Sequence, residues 1–198
     1  MARTIAKDYG DKRLLILNRA AKIFADEGFD RASVSKVATA CNISKANIYH
    51  YYRSKDEILF DILDKYLSEL RDTICTIEGD GQGHESKFRA TVTGILVAYQ
   101  GADHQHRLQA NAMTFLPEDQ QNVLRGYQRD LVKHVSGLVG AIAPDVFAGE
   151  KAKLHSATMS LFGMLNWFYM WNGQADQKAR EDYADIVCTL CLSGIPSL

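Results

Sequence analysis

The chain has 198 residues, 46% of them hydrophobic and 24% charged, with a formal net charge of -1. That balance excludes a disordered or fibrous chain, and the length suffices for one large domain, or a small one joined to a larger, with a core that needs no disulfide staples. The near-zero charge hides an asymmetry: residues 1 to 56 hold 11 Lys and Arg against 6 Asp and Glu, a balance of +5, while residues 57 to 198 hold 12 against 18, a balance of -6. A basic head on an acidic body points to a polyanionic partner, and without a lipidation signal DNA or RNA ranks ahead of a membrane.

Gly and Pro punctuation divides the sequence into amphipathic helical stretches, and no alternating β-branched run predicts a strand. The first helix is predicted over about Asp11 to Glu27, with Leu14, Leu17, Ala21 and Phe24 inward and Gly28 as its stop. A short second helix follows Ser33, its cap, and turns Val34, Val37 and Ala38 inward. Cys41, Asn42 and Ile43 make a turn in which Asn42 tolerates the left-handed conformation. Ser44 caps a third helix. A long fourth helix is expected from Lys55 to about Ile77, ended by the flexible loop EGDGQGH, Glu78 to His84. Further helices are predicted over Glu85 to Gln100, Gln105 to Leu116, Pro117 to Ile142 with Pro117 in the first turn, Gly149 to Trp171, and Gln177 to Leu192. The expected fold is all-α: a three-helix domain, residues 1–56, followed by a six-helix domain, residues 57–198.

The four cysteines, Cys41, Cys75, Cys188 and Cys191, include one C-x-x-C without further ligand spacing, so they read as small apolar residues in helix interfaces rather than as a zinc or redox site. Met1 to Gly10 carries charges and no apolar run, so no signal peptide is expected and the setting is cytoplasmic. The uncharged stretch Ala157 to Ala175 is interrupted by Ser160, Asn166, Asn172 and Gln174 and reads as a buried helix, not a membrane span.

Helix, three-residue turn and short exposed helix form the helix-turn-helix pattern, in which the second helix enters the major groove of double-stranded DNA. The segment ISKANIYHYYRSKDEIL crowds donors onto the third helix. Lys45 can donate to guanine or phosphate, Asn47 can pair bidentately with adenine, and Tyr49 and His50 can donate to phosphate oxygens. Lys55, at the start of the next helix, and Ser33 offer further phosphate contacts. Ile48 is expected in the core, and one of Tyr51 or Tyr52 is expected to pack its ring against the first helix, Tyr52 being read as structural.

Residues 11 to 60 resemble the DNA-binding domain of the TetR family of bacterial transcriptional repressors, through AAKIFADEGFD, SVSKVA and ISKANIYHYYRSKDEIL. The pattern departs at Asn42 and Ala46, where the family usually has Gly. The resemblance implies that Ser33, Lys45, Tyr49, His50 and Lys55 occupy the family's DNA-contact positions, beside Ser44 and Ala46, with Asn47 as a specificity residue. It also implies a ligand-binding and dimerisation domain over the rest of the chain, and a homodimer formed through the last two helices. No cofactor is implied.

In that second domain the helix Leu154 to Trp171 is apolar nearly all round, as a helix buried on more than one side must be. Leu96, Tyr99, Met113, Phe115, Tyr127, Met164, Trp167 and Trp171 suit a lipophilic effector in an adaptable pocket. LPEDQQNVLRGYQRDLV and LFGMLNWFYMW are similar to segments of TetR-family members that sense acyl-coenzyme A thioesters. Arg125 and Arg129, one turn apart, could hold the phosphates of such a ligand. The alternative effector is a drug-like molecule acting on an efflux-pump operator. A metal-dependent enzyme, suggested by His104, His106, His134 and His155, ranks third because no H-E-x-x-H, G-x-S-x-G or phosphate loop occurs. An RNA-binding module would need a sheet.

Overall fold

The computed structural model describes residues 2–79 and 83–198, and of residues 2–8 the backbone only. The described residues form helices and no strand. In order these are α1 (Ala2–Glu27), α2 (Val34–Ala40), α3 (Lys45–Tyr49), α4 (Lys55–Cys75), α5 (His84–Ala98), α6 (Asp103–Asn111), α7 (Glu118–Ile142), α8 (Pro144–Phe147), α9 (Lys151–Asn172) and α10 (Gln177–Gly194), with 3-10 turns at Met113–Phe115 and Ile195–Ser197. Of the loop expected over Glu78 to His84, residues 80–82 lie outside the described residues. The chain packs as two compact units, Met1–Leu67 with His104–Arg125, and Ser68–Asp103 with Gly126–Leu198.

In the first unit α1 buries Ile16, Leu17, Ala20, Ala21 and Phe24, while Leu14 and Leu15 are exposed. Of the four residues expected inward, Leu17, Ala21 and Phe24 are buried and Leu14 is not; Ile16 and Ala20 complete the face at i, i+4 spacing with Phe24. Each fully buried Phe or Ile contributes roughly 1.5–3 kcal/mol relative to exposure, so this row, with Val37, Ala38, Ile48, Ile58 and Leu59, holds the head together. Gly28 ends α1 with φ 88. The stretch expected as one helix over Gln105 to Leu116 breaks after Asn111, and Leu116, preceding Pro117, is extended at φ -77 and ψ 154. Pro117 lies just before α7 and accepts the Gln121 N–H at 2.9 Å through its carbonyl.

The second unit is built on α5 packed along α10, with α9 beside them. Phe88, Val92, Ile95 and Leu96 of α5, Leu161, Leu165 and Phe168 of α9, and Ala184, Val187 and Cys188 of α10 recur at three- and four-residue spacing and are buried. Cys188 and Cys191 lie on this inner face, and burial pushes the Cys188 thiol up to about 12. The short α8, begun by Pro144, was not legible in the sequence.

Candidate DNA interface and effector unit

Two serines and a turn aim the recognition helix. Ser33 Oγ accepts the Lys36 N–H at 3.3 Å and Ser44 Oγ accepts the Asn47 N–H at 3.1 Å, capping α2 and α3. Between them Asn42 adopts φ 54. Ile43 N donates to the Ala38 carbonyl and Asn42 N to the Thr39 carbonyl, both at 3.0 Å, the paired bonds of a Schellman turn. Asparagine thereby performs the left-handed step for which glycine is the usual residue.

With Ile48 fully buried, helical geometry turns Ser44, Lys45, Ala46, Asn47, Tyr49 and His50 outward, and all six are exposed. The Lys45 ammonium lies 5.9 Å from the centroid of the Tyr49 ring, an i, i+4 cation–π contact that keeps the cation on the outer flank. Each capping serine accepts from its own helix and keeps its hydroxyl hydrogen for an outside acceptor. An ammonium, hydroxyls, an imidazole and a side-chain amide therefore share one exposed surface.

Lys55 is engaged within the fold. Its ammonium donates to the carbonyls of Phe29 at 2.6 Å, Asp30 at 3.2 Å and Ala32 at 3.1 Å, and these occupy all three N–H bonds that an ammonium has. The N-terminus of α4 is also engaged: Ser54 Oγ accepts the Glu57 N–H at 3.0 Å, and the Glu57 carboxylate accepts the Arg53 N–H at 2.5 Å. The Glu57 carboxylate thus lies at the start of α4, and the Lys55 ammonium is held by its carbonyl partners. Ser54 and Glu57 match the S-x-x-E capping box, a signal that was available in the sequence.

Both tyrosines after α3 engage α1. Tyr52 donates its hydroxyl hydrogen to Asp61 Oδ2 at 2.5 Å and accepts from Arg13 Nε at 3.1 Å, while Arg13 Nη2 reaches Asp61 Oδ1 at 2.8 Å. Burial first, and the Asp61 hydrogen bond second, push the Tyr52 phenol up. Tyr51 stacks on Tyr9 with centroids 4.7 Å apart. At the other end of α1, Arg107 of α6 donates to the Ala25 carbonyl and, at 3.1 Å, to Asp26 Oδ1.

The ten candidate effector residues do not share one setting. In the first unit Phe115 rests against Phe29, centroids 5.3 Å apart, with 53% of its surface exposed. Met113 is half-buried there, and Arg125 donates to Gln121 Oε1 at 2.7 Å. In the second unit Leu96 and Tyr99 are buried, and the Tyr99 hydroxyl donates to Asn166 Oδ1 at 2.8 Å. Tyr127 lies under the Arg71 guanidinium at 4.7 Å, and Arg129 is exposed. Met164 lines a groove of about 380 Å³ with Ser156, Ser160, Leu190 and Ile195. Trp167 and Trp171 are 61% and 59% exposed, so they are surface side chains of α9 rather than lining of an interior. Composition identified them as apolar but does not say which side of an all-round apolar helix faces out.

Arg180, which no sequence pattern singled out, is 1% exposed. Its Nε donates to the Ala175 carbonyl at 3.3 Å and its Nη1 to the Leu96 carbonyl at 3.2 Å, with the guanidinium 5.6 Å from the Phe168 centroid.

The profile of bacterial regulatory proteins of the tetR family matches residues 16–62, and that of tetracyclin repressor-like C-terminal domains matches residues 81–195. A TetR-family transcriptional regulator from Bordetella parapertussis is 30% identical, with a TM-score of 0.83 over 94% of this chain and 96% of that one. The uncharacterised HTH-type transcriptional regulator YuxN of Bacillus subtilis is 27% identical over 154 residues, which cover 75% of this chain and 50% of YuxN, so the chain spans half the length of that relative. AibR, solved in complex with isovaleryl coenzyme A and operator DNA, is 18% identical and shares the fold, with a TM-score of 0.74 over 90% of this chain and 97% of its own. With both profiles matched in order along one helical chain, the protein belongs to the TetR family of bacterial regulatory proteins.

Proposed function

We propose that this protein is a homodimeric repressor that binds a near-palindromic operator and leaves it when a small lipophilic effector fills the second unit. The observation that carries the reading is α3, whose buried Ile48 leaves Ser44, Lys45, Ala46, Asn47, Tyr49 and His50 as one exposed surface. Ser33 adds a hydroxyl from the cap of α2. Lys55 acts by holding the Phe29–Ala32 loop against α4 and adds its charge to the field rather than a direct bond.

The dimer forms through α9 and α10. Met159 and Trp167 on α9, and Ile186 and Leu190 on α10, are large exposed apolar residues, and the exposed Ser160 and Gly163 lie between the first two. Small residues beside large ones let two helix pairs approach closely around a two-fold axis. Two heads then meet half-sites one turn apart, about 34 to 36 Å, or a multiple of it. The effector releases DNA only if it binds better to a state with a different spacing, and α4, one continuous helix from Lys55 to Cys75, is the lever.

The effector is apolar and not cationic. Among the described residues the buried polar and charged side chains of the second unit are Thr91, Thr158 and Arg180, with no carboxylate to receive a cation. That favours an acyl-coenzyme A thioester over a hydrophobic cation of the kind exported by efflux pumps. Footprinting of the purified protein on its own upstream DNA tests the core of the reading: two protected half-sites, bound by one dimer, are expected, and a monomer bound to a single asymmetric site would overturn it. Release of that DNA by hydrophobic cations, without release by acyl-coenzyme A compounds, would reverse the choice of effector.

A further inference from the structure

We infer that Arg180 is an internal anion site of the second unit, which receives the carboxylate of a small apolar acid at the junction of α5 and α10. The inference rests on the ligand-responsive reading above and concerns a free acid, a ligand of the same unit distinct from a thioester, whose acyl carbon bears no carboxylate.

Arg180 stands in the first turn of α10, where the positive end of the helix dipole disfavours a cation. It is nonetheless almost completely buried, and among the described residues no carboxylate pairs with it. Buried charges are ordinarily paired, and two carbonyls plus the face of Phe168 are a partial substitute. A guanidinium has five N–H hydrogens, and the carbonyls of Ala175 and Leu96 accept only two of them. The remaining three have no acceptor among the described residues, in a unit with no buried acid.

A further donor lies on α9. One turn along α5 from Leu96, the Tyr99 hydroxyl occupies Asn166 Oδ1, which leaves the amide NH2 of Asn166 as a further donor on the helix that carries Phe168. The Tyr183 hydroxyl donates to the Met164 carbonyl. A planar guanidinium with N–H groups still unbonded matches a carboxylate, which accepts two parallel N–H bonds. The apolar part of the ligand has aromatic neighbours to meet: Phe168 stacks on Tyr183 with centroids 4.6 Å apart. The chemistry recognised is thus a carboxylate on a short apolar or aromatic body.

The test uses the full-length protein with three matched probes, phenylacetate, phenylacetamide and phenylacetyl-coenzyme A, and repeats the first two with isovalerate and isovaleramide. Melting temperature and operator release are both read. The acids are expected to raise the melting temperature and the amides not to. Arg180→Met should weaken the response to the acids about tenfold or more while operator binding persists. Should Arg180→Met fail to fold, Arg180→Lys, which keeps the charge and loses the fork, should show the same weakening to a smaller degree. Equal responses to acid and amide, no response to either acid, or an acid affinity unchanged in the folded variant overturns the inference. Release by the thioester with neither acid active leaves the repressor reading standing and the carboxylate site refuted; failure of the unliganded protein to bind any operator refutes the reading itself.

Discussion

The Lys55 ammonium sits 4.4 Å from the centroid of the Phe29 ring and donates to the same residue's carbonyl at 2.6 Å. One cation thereby closes the loop after α1 onto the start of α4, with Asp30 and Ala32 as further acceptors. Lys55→Met, which keeps the stem and removes the charge, should therefore destabilise the protein by about 1–3 kcal/mol, as loss of charge-assisted hydrogen bonds does. Its salt dependence of DNA binding should change less than that of Lys45→Met. Urea unfolding and a salt series on operator DNA check both parts, and a lysine variant that is fully stable yet shows a much flatter salt slope would return Lys55 to the phosphate backbone.

Asn47 is exposed on α3 with its backbone N–H capped by Ser44, so its side-chain amide is held at a fixed place on the outer surface. Asn47→Ala should cost about 1–3 kcal/mol of operator affinity, concentrated at one base pair. Binding to every single-base operator variant and to random DNA is the measurement. Equal losses on specific and random DNA would remove its readout role.

Ser44→Ala removes the acceptor for the Asn47 N–H and should lower stability by about 1 kcal/mol, whereas Ser44→Gly should cost only a few tenths. Because α3 has five residues, the effect on operator binding should exceed the effect on stability. Comparing the two substitutions by thermal unfolding and by operator titration separates the cap from any direct contact of the hydroxyl.

Burial, reinforced by the nearby Lys87 and opposed by Glu78, holds the His134 imidazole below its ordinary value of 6.5. The unfolded chain then takes up this proton at a higher pH than the folded one. Stability associated with a neutral His134 is complete above about pH 6.5 and is lost as pH falls toward the lower folded value. His134→Gln should flatten the decline in melting temperature between pH 7.5 and 5.5 relative to the parent protein, the other histidines being common to both. Parallel curves for the two proteins would show that His134 titrates alike in both states.

Trp167→Glu places a charge in the middle of the exposed apolar face of α9 and should convert dimer to monomer without lowering helix content. Sedimentation and circular dichroism read the two quantities. Operator affinity should fall with dimerisation, and a variant that stays dimeric at all concentrations would place the subunit contact elsewhere.

Sequence alone determined the features that depend on short range. The caps at Ser33 and Ser44, the left-handed Asn42 and the inward Ile48 follow from residue types three or four positions apart, and so the exposed face of α3 was legible residue by residue. The outward face of α9 was not, because a helix apolar on all sides carries no periodic signal, and only its packing against α5 and α10 leaves Trp167 outside. The tertiary structure also decided the use of three cations that look alike in sequence. Lys55 closes a loop 25 residues upstream of it, Arg107 caps the end of α1, and Arg180 lies in the core beneath the last turn of α5. The acceptor of a long charged side chain is set by whichever carbonyls the fold brings within reach, and chain neighbours carry no record of contacts made across such separations.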